Sequence, residues 1–171
     1  MGLSTTGYPD SPKDTRLRHK LLLRGRHRLA TLLAIVSTVL LTGCSATGVL
    51  NTLTPGGSYT RKADVAYGTL PRQKLDIYTP TATKPAAGWP AVVFFYGGSW
   101  NSGARADYQF VAEALAARGV LTLVADYRLY PQVRYPDFLM DSAQALAYGL
   151  DQAARLGGDP KRVFVMGHSA G

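Results

Sequence analysis

The sequence predicts a protein of the α/β class, with a mostly parallel sheet covered by helices on both faces. Three apolar runs, AVVFFY (91–96), VLTLVA (120–125) and RVFVM (162–166), are typical of strands that are buried on both faces. Two segments of helical composition, 107–118 and 137–155, separate these runs. Strand and helix therefore alternate, which is the pattern of parallel strands joined by helical crossovers.

The periodicity of the second helix is the clearer of the two. Apolar residues recur there three or four positions apart: Leu139, Ala143, Leu146 and Leu150. Pro136 directly precedes this helix and is consistent with its start, and Gly119 is placed to cap the end of the first helix. Earlier in the chain, ADVAYG and QKLDIYTP predict two strands of a hairpin, so an antiparallel pair precedes the parallel strands.

The net charge of +8 is concentrated near the amino terminus of the sequence. Residues 1–28 carry seven Lys or Arg against two Asp, which leaves a net charge of only +3 for the rest. A globular part this mildly basic gives no argument for a nucleic-acid partner. The basic region precedes thirteen uncharged residues, 29–41. A helix of that length spans about 20 Å, which is short of a hydrocarbon core of roughly 30 Å but suits a signal peptide.

The apolar run ends in LTGC (41–44), which resembles the bacterial lipobox and contains the one cysteine of the sequence. This pattern predicts a signal peptide over 1–43, lipid attachment at Cys44 and a flexible, Gly/Ser/Thr-rich tether over 44–62. The protein is then expected in a bacterial cell envelope, anchored to a membrane outside the cytoplasm, and at the outer membrane in a Gram-negative host. An uncleaved anchor over 29–50, which is also uncharged, is the alternative.

Two glycine-containing turns follow predicted strands, and sheets of this class form their sites at the carboxyl ends of strands. The sequence GHSAG (167–171) fits the G-x-S-x-G nucleophile elbow, in which a serine sits on a tight strand-to-helix turn. Gly167 and Gly171 suit this turn because larger side chains there would collide with backbone. We therefore expect Ser169 to be a catalytic nucleophile, and a helix-capping serine is the alternative interpretation.

The other turn, YGGS (96–99), has the composition of an oxyanion loop. A tetrahedral intermediate carries a negative oxygen that preorganised N–H donors must hold, and glycines allow backbone to approach closely. The expected donors are the N–H groups of Gly97 and Gly98, together with that of Ala170 directly after the serine. Such chemistry needs no metal and no organic cofactor. A plain surface loop is the alternative.

Together these motifs resemble the α/β-hydrolase carboxylesterases of the hormone-sensitive-lipase-like and related esterase groups. The resemblance covers about 63–171 and rests on five stretches in order: LDIYTP, VVFFYGGSWNSG, VADYRLYP, YPDFLMDSAQAL and GGDPKRVFVMGHSAG. It implies an α/β-hydrolase fold and hydrolysis of a small-molecule ester through an acyl-enzyme at Ser169. Tyr96 and Ser99 replace the first and last residues of the family's H-G-G-G loop, which leaves the backbone donors in place and can alter acyl-chain preference.

The resemblance also bears on the remaining polar residues. Asp126, Arg128 and Asp141 match family positions and are expected to form structural ion pairs. His168 is not expected to be the base, because adjacent side chains diverge on an elbow. The family's acid and histidine follow the serine, so the sequence predicts an amino-terminal hydrolase fragment, truncated after the elbow, inactive alone and with 162–166 at an open apolar edge. A non-catalytic, membrane-anchored binding module on a degenerate hydrolase scaffold, and a peptidase or arylformamidase of the same fold, remain alternatives.

Overall fold

The structure is a computed structural model that describes residues 46–171. The signal peptide predicted over 1–43 and the lipid-attachment residue Cys44 lie outside the described residues. In chain order the elements are α1 (Ala46–Thr52), β1 (Tyr59–Ala66), β2 (Lys74–Pro80), β3 (Trp89–Phe95), a 3-10 turn (Arg105–Tyr108), α2 (Gln109–Ala116), β4 (Leu121–Ala125), α3 (Asp137–Gln152) and β5 (Gly158–Gly167). None of the helices within 46–171 has the length and apolar character that a membrane crossing requires.

The five strands form one mixed sheet in the order β1-β2-β4-β3-β5. Strands β4, β3 and β5 run parallel, and β1 and β2 join antiparallel at the β4 side. The predicted α/β class is therefore confirmed, with as many antiparallel pairings as parallel ones in the described part of the sheet. All five residues of β4 are buried, and β3 is buried except at Pro90, as their continuous apolar sequences predict.

The helices cover both faces of the sheet. Val93 and Leu123 are register partners on one face, and they pack against Gly149 of α3. A Cβ on Gly149 would lie 2.5 Å from a methyl carbon of Val93, so the helix approaches the sheet at van der Waals contact. Phe94, the next residue of β3, points to the other face and packs on Tyr108 of the 3-10 turn, with 5.4 Å between the ring centroids. This layering agrees with the fold predicted from the sequence.

The prediction of a flexible tether over 44–62 is wrong in part, because α1 and the first four residues of β1 lie within it. Asn51 holds α1 in place through both the nitrogen and the oxygen of its side-chain amide. Its Nδ2 donates to the Ala106 carbonyl oxygen at 2.7 Å, and its Oδ1 accepts from the Phe110 N–H at 3.1 Å, a helix-start donor that α2 itself cannot satisfy. These contacts are tertiary, so local composition gave no signal for them.

The expectation of burial on both faces is wrong for residues 162–166. Among the described strands, β5 pairs with β3 alone and forms an edge of the sheet, in agreement with the expected open edge. Phe164 is 54% exposed and Val165 is 57% exposed. An apolar run predicts a strand, but it does not report how many neighbours that strand has.

Candidate active site

The candidate nucleophile lies on a strained turn directly after β5. Ser169 is exposed and has a φ of 58°, in the left-handed region that costs energy for a residue with a side chain. Glycine is required at both flanking positions, Gly167 and Gly171, for steric reasons. A Cβ on Gly167 would lie 2.3 Å from the Gly171 carbonyl oxygen, and a Cβ on Gly171 would lie 2.2 Å from the Phe95 carbonyl oxygen. The turn therefore closes only with glycine at these two positions.

The loop after β3 packs against this elbow. Strands β3 and β5 are parallel neighbours, with Phe95 opposite Gly167, so their carboxyl ends meet at one edge of the sheet. Gly97 is buried, and a Cβ on it would lie 2.8 Å from both the His168 carbonyl oxygen and the Ser169 Cβ. The absence of a side chain at Gly97 thus allows the two turns to touch. The structure brings the candidate oxyanion glycine and the candidate nucleophile together.

Beyond Gly97 the loop is tightly wound. Gly98, Ser99 and Trp100 have φ values of 131°, 52° and 58°, three successive residues at positive φ. The N–H groups of Asn101 and Ser102 both donate to the Gly98 carbonyl oxygen, at 3.0 and 3.1 Å. That carbonyl is therefore satisfied within the loop, which folds back on itself and leaves residues 99–102 exposed.

A pocket of about 150 Å³ opens beside Ala170, the third expected oxyanion donor. Its lining is largely apolar and aromatic: Phe95, Trp100, Tyr127, Phe138, Leu139, Ser142, Ala170 and Gly171. Trp100 and Phe138 stack at one side, with ring centroids 5.5 Å apart and planes 13° apart. This lining suits an apolar group of a small ligand. Tyr96 is fully buried and does not line the pocket, so it has no direct contact through which to select an acyl chain there.

The contacts of His168 do not support a role as the general base. Its Nδ1 lies 3.0 Å from the Tyr108 hydroxyl, and the two rings are in contact with centroids 5.8 Å apart. The imidazole lines a second cavity of about 440 Å³ with Tyr108, Phe94 and Met166. No hydrogen bond joins the imidazole to Ser169 within 46–171. Nor does this part of the chain hold a His/Cys/Asp/Glu cluster able to bind a metal ion.

The acidic residues near the site form ion pairs, as the sequence predicts. Asp141 accepts hydrogen bonds from the backbone N–H, Nε and Nη2 of Arg128 at 2.8–2.9 Å, and from Gln73 Nε2 at 2.8 Å. Burial by itself raises the pKa of Asp141, but these hydrogen bonds outweigh burial and hold the pKa below its ordinary value. Asp126 is paired with the Arg105 guanidinium. Both carboxylates thus anchor the loops around the site.

Arg105 is the centre of a network that the sequence analysis missed. Its guanidinium pairs with Asp64, with Asp126 and, at 2.8 Å, with Asp76. Asp76 is fully buried and also accepts from Arg61 at 2.6 Å. Burial by itself raises the pKa of Asp76, but hydrogen bonds from Arg105, the Asp64 backbone N–H and Arg61 outweigh burial and hold the pKa below its ordinary value. Because these residues belong to separate strands and loops, their spacing in the sequence does not predict the network.

Comparison with known proteins agrees with this geometry. The BD-FAE family model matches residues 75–171, more than half of the chain. A probable isoprenylcysteine alpha-carbonyl methylesterase of Oryza sativa subsp. japonica is 38% identical over 107 residues, covering 63% of this chain and 25% of that protein. Esterase LipC of Mycobacterium tuberculosis is 37% identical over 116 residues, covering 66% and 28%. Esterase B of Lactobacillus rhamnosis superposes with a TM-score of 0.68 at 24% identity, covering 82% of this chain and 46% of that one, which shows the fold.

The chain spans about a quarter of the length of these two curated relatives. The matched segment runs from β2 to the elbow, so it includes both glycine turns and the strands that position them. Fold, turn geometry and family match therefore agree. This chain belongs to the BD-FAE family, among the α/β-hydrolase carboxylesterases.

Proposed function

We propose that the protein hydrolyses small-molecule carboxylic esters through an acyl-enzyme formed on Ser169. One observation carries the proposal: an exposed serine in a left-handed turn at the end of β5 lies against Gly97 of the neighbouring strand's loop. The esterase names of the relatives support the reaction class. The small apolar pocket beside Ala170 supports an ester with a small apolar group.

In this reaction the Ser169 Oγ attacks the ester carbonyl carbon and its proton passes to a general base. The carbonyl oxygen becomes negative and accepts hydrogen bonds from the N–H groups of Gly97, Gly98 and Ala170. Loss of one such donor typically costs about 2.7–4 kcal/mol in the transition state. The intermediate collapses, the alcohol leaves with a proton, and water then hydrolyses the acyl-enzyme.

The base is proposed to come from outside residues 46–171. His168 is the one histidine of this part, and its Nδ1 is hydrogen-bonded to Tyr108. The other two histidines of the sequence, His19 and His27, lie in the predicted signal peptide, so we expect a recombinant chain of residues 1–171 alone to hydrolyse esters near the background rate. The natural protein containing these residues, at its full length, is expected to hydrolyse them.

The test is labelling with a fluorophosphonate probe and hydrolysis of a short-chain p-nitrophenyl ester, applied to both proteins. The full-length protein should label at Ser169 and turn over the ester, and Ser169→Ala should do neither. Ser58→Ala is the matched control, because Ser58 bonds Glu113 at 3.2 Å and belongs to neither glycine turn. A full-length protein that neither labels nor hydrolyses esters would favour the binding-module alternative. Robust turnover by 1–171 alone would show that the base lies within it.

We also propose that Cys44 carries the lipid that anchors the protein in the cell envelope. The lipobox-like stretch 41–44, directly after an apolar run, supports this proposal. Expressed in bacteria, the protein should incorporate labelled fatty acid and fractionate with membranes, and Cys44→Ser should lose the label. Equal labelling of this variant would contradict the proposal.

A further inference from the structure

We infer that Arg72 is a positioning residue that sets the oxyanion loop, residues 96–103, for catalysis. The inference rests on the proposed ester hydrolysis at Ser169. Arg72 lies in the turn between β1 and β2, outside both glycine motifs and outside the pocket beside Ala170. It would act through the loop and not by contact with substrate.

One guanidinium holds both ends of the oxyanion loop. Arg72 Nη2 donates to the Tyr96 hydroxyl at 2.6 Å, where the loop begins, and to the Gly103 carbonyl oxygen at 2.9 Å, where it ends. Its Nε donates to the Tyr127 carbonyl oxygen at 2.9 Å, which ties the loop to the end of β4. These donors point in fixed directions from a planar group, so they define the relative positions of three chain segments.

The loop needs such a constraint because its backbone is strained. Ser99 and Trp100 both adopt positive φ, and conformations of this kind persist only where the surroundings enforce them. Gly103 also packs directly against Gly97, because a Cβ on Gly103 would lie 2.8 Å from the Gly97 carbonyl oxygen. A shift of the Gly103 end would therefore displace Gly97, the residue that packs against Ser169.

Tyr96 explains why an arginine is needed in this chain. Its ring is buried between Tyr108 and Tyr127, with centroid separations of 5.9 and 4.8 Å, and burial holds the pKa of its hydroxyl above the ordinary value. The neutral hydroxyl accepts the Arg72 hydrogen bond, while the Tyr127 hydroxyl donates to the Tyr96 carbonyl oxygen at 2.5 Å. Asp126, which also pairs with Arg105, lies 3.8 Å from the guanidinium and offsets part of its charge. Lysine would keep the charge at this place but lose the fork that reaches three oxygens.

The experiment measures kcat and KM for a p-nitrophenyl ester in the natural full-length protein that contains these residues. Values of kcat are expressed per serine titrated by a fluorophosphonate, which removes any change in folded fraction. Arg72→Lys should lower kcat by about tenfold to a hundredfold, as expected when reacting groups are misplaced by about an ångström, with little change in KM. Tyr96→Phe, which removes one acceptor, should lower kcat in the same direction by less.

Arg162→Lys is the matched control. Arg162 also joins a carboxylate, Asp159 at 2.7 Å, to a distant carbonyl oxygen, that of Gly88 at 3.0 Å, but at the opposite end of the sheet. It should leave kcat per titrated serine unchanged. An active wild type whose kcat is unaffected by both Arg72→Lys and Tyr96→Phe would overturn the positioning role alone. A wild type that neither labels nor hydrolyses would instead overturn the proposed function beneath it.

Discussion

Strands β3 and β5 are parallel neighbours with similar apolar sequences, yet their surroundings differ sharply. Val93 of β3 and Val165 of β5 are partners in the register, but Val93 is fully buried and Val165 is 57% exposed. Strand β3 lies between two strands and under α3, whereas β5 pairs with β3 alone among the described strands. Position in the sheet, and not residue type, decides how much each valine contributes to stability.

This difference divides the candidate site between two environments. The oxyanion loop continues from the buried strand and is tied to the core by Arg72, while Ser169 continues from the exposed strand. The buried side also contains the ion pairs of Asp76 and Asp141. We expect stability to depend mainly on the buried region, with the exposed strand contributing little. Three comparisons between variants test that expectation through the free energy of unfolding.

The largest effect is expected from Asp76→Ala, in the buried network. Removal of this carboxylate leaves Arg105 and Arg61 without their shared partner, and breaking a buried pair from one side typically costs about 3–5 kcal/mol. Urea unfolding followed by circular dichroism measures the change. Asp151→Ala is the control, because Asp151 is exposed and, among residues 46–171, its side chain hydrogen-bonds only the adjacent Gln152, so a change within about 0.5 kcal/mol is expected. Equal losses for the two variants would show that the network contributes no more than surface charge.

A smaller, pH-dependent effect is expected from Asp141→Asn. The folded pKa of Asp141 lies below its ordinary value, so its contribution is complete above about pH 4 and is lost as the pH falls through the folded pKa. The variant should be less stable than wild type by about 1.5–3 kcal/mol at pH 7, and the gap should narrow towards pH 2. Urea midpoints across this range measure it. Asp137→Asn, which removes an exposed charge from the same helix, is the control. A gap that stays constant with pH would contradict the ion-pair explanation.

Where the sequence predicted the structure well, burial or backbone sterics leave a local signature. Strands β3 and β4 are covered on both faces, so their residues are almost uniformly apolar. Helical spacing predicted that α3 exists but not which face it buries, because Leu139, Ala143 and Leu150 are exposed and the helix buries Phe138, Ala145 and Gly149 instead. The elbow is visible because its geometry excludes side chains two positions before and after Ser169. The start of α3 at Asp137 was also predictable, whereas its end at Gln152 falls three residues before the expected Arg155.

What the sequence did not reveal depends on contacts between distant segments. Asn51 docks α1 through atoms 55 and 59 residues away, and Arg72 reaches its loop across 24 and 31 residues. Single polar residues in loops resemble ordinary surface residues until the fold brings their partners close. The exposure of β5 was also not predictable from the sequence, because it depends on the order of the strands in the assembled sheet.

The smallest expected loss, that of Val165→Ala, is measured against the loss for Val93→Ala, and this comparison separates the two strands directly. The change removes the same two methyl groups from register partners on one face of the sheet. At about 0.8 kcal/mol for each buried carbon, Val93→Ala should cost about 1.6 kcal/mol, and the cavity left beside Gly149 adds to this. Val165→Ala should change the free energy of unfolding by no more than about 0.5 kcal/mol, because the Val165 side chain is more than half exposed.

Urea midpoints of the two variants, measured side by side with Val92→Ala as a second buried reference, test this comparison. A loss at Val165 as large as that at Val93 would mean that β5 is covered in the folded protein by a part of the molecule beyond residues 46–171.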